Sequence, residues 1–141
     1  MDDKNLQLLN LLRLNAREST AALARKLNLS RTAVHERISK LEATGIIRGY
    51  TLKVNEEYAS KLITAQVMIE INPKLGKQVT NSLARISQVQ SLYTVNGQYD
   101  LIAIIRAENT QQLDEVLDKI GEIDGIEKTM SSIVLSTKFE R

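Results

Sequence analysis

The chain has 141 residues, 43% of them hydrophobic and 26% charged, a length that holds one ordinary domain or two small ones and a composition typical of a soluble globular protein. It contains no cysteine, which excludes disulfides, a thiol nucleophile and a thiolate metal site, and no apolar run approaches the ~18 residues of a membrane span. The net charge of +2 conceals an asymmetry, because residues 1–54 carry ten Lys/Arg against five Asp/Glu while residues 55–141 carry nine against twelve.

The polar start MDDKN lacks the pattern of a signal peptide, so a cytoplasmic protein without a membrane partner is the simplest expectation. Leu6, Leu8, Leu9 and Leu12 predict a first helix over Lys4 to Asn15. Asp2 and Asp3 stand at its start, where the helix dipole favours negative charge. Asn15 to Ser19 makes a turn, with Ser19 or Thr20 capping a second helix that carries Leu23 and Leu27. Asn28, Leu29 and Ser30 break the pattern, and Ser30 is placed to accept a hydrogen bond from the first turn of a third helix. There Val34, Ile38 and Leu41 recur at i, i+4 and i+7, and Gly45 supplies a left-handed stop.

The opposite side of that third helix carries Thr32, His35, Glu36, Ser39 and Lys40, with Arg31 at its start. Each of these residue types has a use at a base edge or a phosphate. Two helices joined by a tight turn, the second with such an outer face, form a helix-turn-helix. The same pattern also fits an ordinary helical hairpin with a solvated face, but the basic charge of residues 1–54 favours a polyanionic partner. IIRGYTLKV then reads as a short hairpin or wing that brings Arg48 and Lys53 near phosphates. Leu9, Leu12, Leu23, Leu27, Val34, Ile38 and Leu41 are the expected core of this 1–54 winged helix-turn-helix domain. Residues 55–61, NEEYASK, form a polar linker without periodicity.

Residues 62–141 read strand, helix, strand, strand, helix, strand. The strands are LITAQVMIEI, Val89 to Val95, LIAIIRA and Ile126 to Ser136, and Val79, Leu83 and Ile86, then Leu113, Val116, Leu117 and Ile120, mark the helices. Asn96-Gly97 is a hairpin signal, and Thr110 is the expected cap of the second helix. The fold class is therefore α+β, with a ferredoxin-like βαββαβ domain whose helices cover one face of an antiparallel sheet. LIAIIRA is apolar on both sides, and Leu62, Met68, Leu92 and Met130 are expected on the uncovered face. A monomer would expose that face as an apolar patch, so at least a homodimer through residues 62–141 is predicted. Such a dimer would present two reading helices to two half-sites of DNA.

LLNLLRLNAR (8–17), AALA (21–24), LSRTAVHERISKLEATGIIRGY (29–50) and VNGQYDLI (95–102) make the chain resemble the Lrp/AsnC (feast/famine) family of transcriptional regulators over essentially its whole length. The resemblance implies a winged helix-turn-helix joined to a βαββαβ ligand-sensing (RAM) domain that dimerises through its sheet and often assembles into octamers. It implies an amino-acid effector bound between subunits near Gly97, Tyr99 and Asp100, with Thr129 and Ser131 from the last strand. No other cofactor and no metal is expected. Asp100 would meet an α-ammonium group and Gly97 would admit a carboxylate, and both residues also have a plain turn reading. One departure stands in the first helix, where Asn5 replaces an aspartate usual in the family.

The candidate DNA-binding residues are Ser30, Arg31, Thr32, His35, Glu36, Arg37, Ser39 and Lys40. Arg31, Thr32, His35, Glu36 and Ser39 are expected at base edges, and Arg37 and Lys40 at phosphates, with a clamp on Glu42 or a backbone carbonyl as the second reading of Arg37. Against an enzyme, no Ser/His/acid, paired-carboxylate or phosphate-loop constellation appears, and the single histidine lies on the reading helix. The competing reading is a non-enzymatic small-molecule-binding and oligomerisation module that acts on a protein partner.

Overall fold

The computed structural model describes residues 1–59 and 61–141, which divide into two compact units, Met1–Lys53 and Val54–Arg141. The first contains α1 (Asp3–Leu14), α2 (Thr20–Leu27) and α3 (Arg31–Ala43). Each helix starts on a short polar side chain that accepts a free N–H from the first turn. Asp2 accepts from Asn5, Ser19 from Ala22 and Ser30 from Ala33. Asn28 ends α2 in the left-handed region (φ 55), with Leu29 N–H donating to the Ala24 carbonyl at 2.9 Å. Gly45 (φ +77) ends α3 in the same way.

Leu8, Leu23, Leu27, Val34 and Leu41 are sealed from water, Leu12 and Ala24 nearly so, and Leu9 and Ile38 pack at the margin. Leu8 rather than Leu9 is thus the inner residue of α1. Leu6, expected to face inward, is 49% exposed, since two residues before Leu8 lies about 200° around the helix from it.

The expected wing does not form. Among the described residues, Arg48 to Asn55 carry no strand pairing, and Tyr50, Leu52 and Val54 are exposed. A ladder needs two strands, and IIRGYTLKV forms none in this unit, since its chain bends at Ile46 and Ile47 and is irregular from Arg48 onward. Only Ile47 docks, through its N–H to the Leu41 carbonyl at 3.0 Å and by packing on the helical core.

The second unit begins with one helical turn, α4 (Glu56–Ala59), within the stretch expected to be an irregular linker. There follow β1 (Ile63–Ile71), a 3-10 turn (Pro73–Leu75), α5 (Gly76–Ala84), β2 (Val89–Thr94), β3 (Leu101–Ala107), α6 (Thr110–Glu122) and β4 (Ile126–Ile133). The sheet order is β2-β3-β1-β4 with antiparallel neighbours throughout, the βαββαβ arrangement expected from the sequence. Ala65, Val67 and Ile69 of β1 and Leu101, Ala103, Ile105 and Ala107 of β3 are buried with Val79 and Leu83 of α5 and Leu113, Val116 and Ile120 of α6.

The other face carries Met68 opposite both Ile102 and Met130, and Tyr93 opposite Ile102. Tyr93 and Met130 are 55% and 48% exposed, so α5 and α6 leave one apolar side of the sheet uncovered in this unit. Leu92 does not belong to it. It pairs with Ala103 and packs into the helix-covered core, because a register shift between Val89 and Ser91 reverses the alternation along β2.

Candidate functional site

Burial sorts α3 into two sides. Val34 and Leu41 are buried, while Arg31, Thr32, His35, Glu36, Ser39 and Lys40 are exposed. Thr32, His35, Glu36 and Ser39 fall within an arc of about 100° around the helix, opposite the buried seam. The helix start is set by Ser30, whose Oγ accepts the Ala33 N–H at 3.0 Å. Its end is tightened by Thr44, whose hydroxyl donates to the Lys40 carbonyl at 2.8 Å. An exposed, capped helix with hydroxyl, imidazole, carboxylate and ammonium groups on one side can donate to and accept from base edges and meet phosphates.

Arg37 departs from this group. It is half-buried, and its Nη1 donates to Asp2 Oδ1 and Oδ2 at 3.0 and 2.8 Å and to Asn5 Oδ1 at 3.0 Å. The guanidinium is therefore tied to the start of α1, a partner that neither sequence reading of Arg37 named. The hydrogen bond from Arg37, then that from the Asn5 N–H, holds the Asp2 carboxyl below its ordinary range. Asp2 and Asn5 are the site residues that sequence reasoning missed. Their signal was present, since both sit at the α1 start and one of them occupies the position where the resemblance expects an aspartate. Lys4 reaches from the same turn to the Leu27 carbonyl at 2.6 Å and so supplies positive charge at the end of α2.

In the second unit the residues named for an effector lie around one end of the sheet without forming a single cluster. Val95 to Asp100 is a six-residue loop, longer than the tight turn that Asn96-Gly97 suggests, and Gly97 (φ +112) is exposed within it. Tyr99 is buried, 6% exposed. Asp100 uses Oδ2 to accept the Ile71 N–H at 2.9 Å and donates its own N–H to the Ile69 carbonyl at 2.9 Å, so it staples the loop to β1. Thr129 and Ser131 are exposed on β4 opposite Ile69 and Val67. β1 thus stands between them and the Leu101 end of β3, a separation of about 10 Å across two strand spacings. A concavity of about 620 Å³ in this unit is lined by other residues, among them Tyr58, Leu62, Arg106 and Leu135. Among the described residues no cluster of His, Asp and Glu suited to a metal ion occurs, and no helix is long and apolar enough to cross a membrane.

Comparison with known proteins covers both units. Residues 1–42 match the AsnC-type helix-turn-helix domain, and residues 64–141 match the Lrp/AsnC ligand binding domain. An uncharacterized HTH-type transcriptional regulator of Pyrococcus abyssi is 35% identical over 97% of this chain and 94% of its own length. Among solved structures, E. coli AsnC superposes with a TM-score of 0.85 at 26% identity, covering 100% of this chain and 96% of that one. The Leucine response regulatory protein of Mycobacterium tuberculosis superposes with a TM-score of 0.82 at 28% identity, covering 99% and 96%.

Proposed function

Because the chain belongs to the Lrp/AsnC family of transcriptional regulators, with a helix-turn-helix and a ligand-binding domain, we propose that it binds double-stranded DNA through α3 in response to an amino acid. The observation that carries the DNA half is the division of α3 into a sealed apolar seam and an exposed polar side. Ser30, Arg31, Thr32, His35, Glu36, Ser39 and Lys40 line that interface, with Thr32 and His35 at base edges and Lys40 at a phosphate. In this reading the chain is a homodimer, paired through the uncovered face of Met68, Tyr93, Ile102, Ile104 and Met130, and assembles further, up to an octamer. It works in the cytoplasm, catalyses no reaction and needs no cofactor beyond its effector.

The effector is an amino acid or close analogue held near Gly97, Asp100, Thr129 and Ser131. The name of the M. tuberculosis relative, a leucine response protein, supports that ligand class. The separation of Thr129 and Ser131 from Gly97 and Asp100 across β1 supports a pocket completed by a second subunit. The test has two arms. Gel shifts on a random-sequence duplex pool at several salt concentrations should give sequence-preferring binding that weakens steeply with salt. Absence of binding at low salt would favour the protein-partner reading. A thermal-shift screen of the twenty amino acids should find at least one that raises the melting temperature, and a flat screen would remove the amino-acid effector.

A further inference from the structure

Arg37 shares a helix with the exposed side chains placed at base edges, yet it points elsewhere. Val34, Ile38 and Leu41 lie almost on one line along α3, and Arg37 flanks that line, about 60° around the helix from Val34. A helix held along a single line of apolar contacts resists translation better than it resists rolling about that line. A directional tie to one flank fixes the roll. Arg37 makes such a tie to Asp2 and Asn5 at 2.8–3.0 Å. Its acceptors are themselves held, because Asp2 Oδ1 also accepts the Asn5 N–H at 2.8 Å.

The leverage is large for so small a contact. Side-chain tips stand roughly 5–6 Å from the helix axis, so a roll of about 10° moves them by about 1 Å. That exceeds the ~0.5 Å range over which a hydrogen bond keeps good length. The Arg37 and Asp2 side chains are 29% and 57% exposed. Such an exposed ion pair contributes little to stability, and its consequence lies in where the opposite side of α3 points.

We propose that the Asp2–Asn5–Arg37 contact is a specificity-determining positioning device that sets the roll of α3 against α1. Thr32, His35, Glu36 and Ser39 then address base edges together, and Arg37 makes no phosphate contact of its own. The proposal rests on α3 being the reading helix.

The experiment uses the full chain. Duplexes that the unaltered protein selects from a random pool are compared with a scrambled duplex across a salt series, for Arg37→Ala, Asp2→Ser and the double variant Asp2→Ser/Asn5→Asp. Serine caps a helix about as well as aspartate but is too short to hold Arg37. Arg37→Ala and Asp2→Ser are expected to cut the ratio of selected to scrambled affinity about tenfold, the discrimination of roughly one base contact, with the salt slope unchanged. The double variant restores a carboxylate at position 5, where Asn5 Oδ1 already lies 3.0 Å from Arg37 Nη1, and should recover the ratio. Should Arg37→Ala not fold, the two Asp2 variants decide alone.

A slope reduced by about one with equal losses on both duplexes would make Arg37 a phosphate contact and overturn the proposal. So would an unchanged ratio in a protein that does discriminate. An unaltered chain that binds selected and scrambled duplexes alike would refute the DNA reading of α3 itself, and this inference with it.

Discussion

An Ile102→Asp substitution is expected to separate subunit pairing from folding. Ile102 lies on β3 opposite Met68 and Tyr93, on the face away from the core that β1, β3, α5 and α6 share. It is half-buried within the protomer, so roughly half of the ~2 kcal/mol for full burial of an isoleucine is left for pairing, about 2 kcal/mol per dimer. An aspartate loses that term and must also desolvate a carboxylate in each subunit, which costs more than the ~1–3 kcal/mol that a neutral polar group costs on mutational scales. The sum is at least about 4 kcal/mol, a weakening of the dimer by about a thousandfold or more. Sedimentation velocity across nanomolar to micromolar concentrations reads the change. Circular dichroism and urea unfolding at low concentration should show the variant protomer still folded and less stable than an equally dilute parent by about 1–2 kcal/mol, because half of the isoleucine burial lies within the protomer. An unaltered chain that sediments as a monomer at micromolar concentration, or a variant with the same dimer constant, would refute the reasoning.

Gly125→Ala should destabilise the second unit by about 1–3 kcal/mol in urea unfolding, because Gly125 has φ +101 and an added Cβ would lie 2.8 Å from Leu75 Cβ and 2.9 Å from Val79 Cγ2. Lys40→Ala should weaken binding to every duplex and lower the salt slope by about one, whereas Thr32→Ala should change which duplex is preferred. Equal effects of both substitutions on all sequences would remove that division of labour. The Asp2 carboxyl, held below its ordinary value of 3.8 by Arg37, gives the first unit stability that is present above that value and lost as pH falls through the lower folded value. Urea midpoints at pH 6 and near pH 3 should therefore differ less in Asp2→Ser than in the parent.

Periodicity made most of the fold legible. Val34, Ile38 and Leu41 located α3, and the alternation of Ala65, Val67 and Ile69 located the buried side of β1. It failed where structure depends on a partner or a break in register. IIRGYTLKV has strand-forming residues, but strand propensity forms no ladder without a second strand, and its Tyr50 and Leu52 stand exposed. Strict alternation carries one phase along the whole strand and so puts Leu92 on the wrong face. The shift between Val89 and Ser91 allows Val89 and Leu92, three residues apart, both to reach the core.

The site was legible only as far as side chains act through their own element. The outer side of α3 follows from the spacing of its apolar residues, so Thr32, His35 and Ser39 are exposed as the sequence implies. The partner of Arg37 does not follow from spacing, since Asp2 lies 35 residues away and meets it only once α1 packs on α3. Asp100 illustrates the same limit, because its carboxylate accepts from Ile71, 29 residues back in the chain. A lone charge on a reading helix looks like a phosphate contact in one dimension, and a charge beside a turn looks like a ligand contact. Both attributions rest on a group being unspent, and only the fold shows that Arg37 Nη1 and Asp100 Oδ2 are already engaged. For Arg37 that engagement moves its contribution from affinity to orientation, which is why the selected-to-scrambled ratio, rather than overall binding strength, is the quantity its substitution should change.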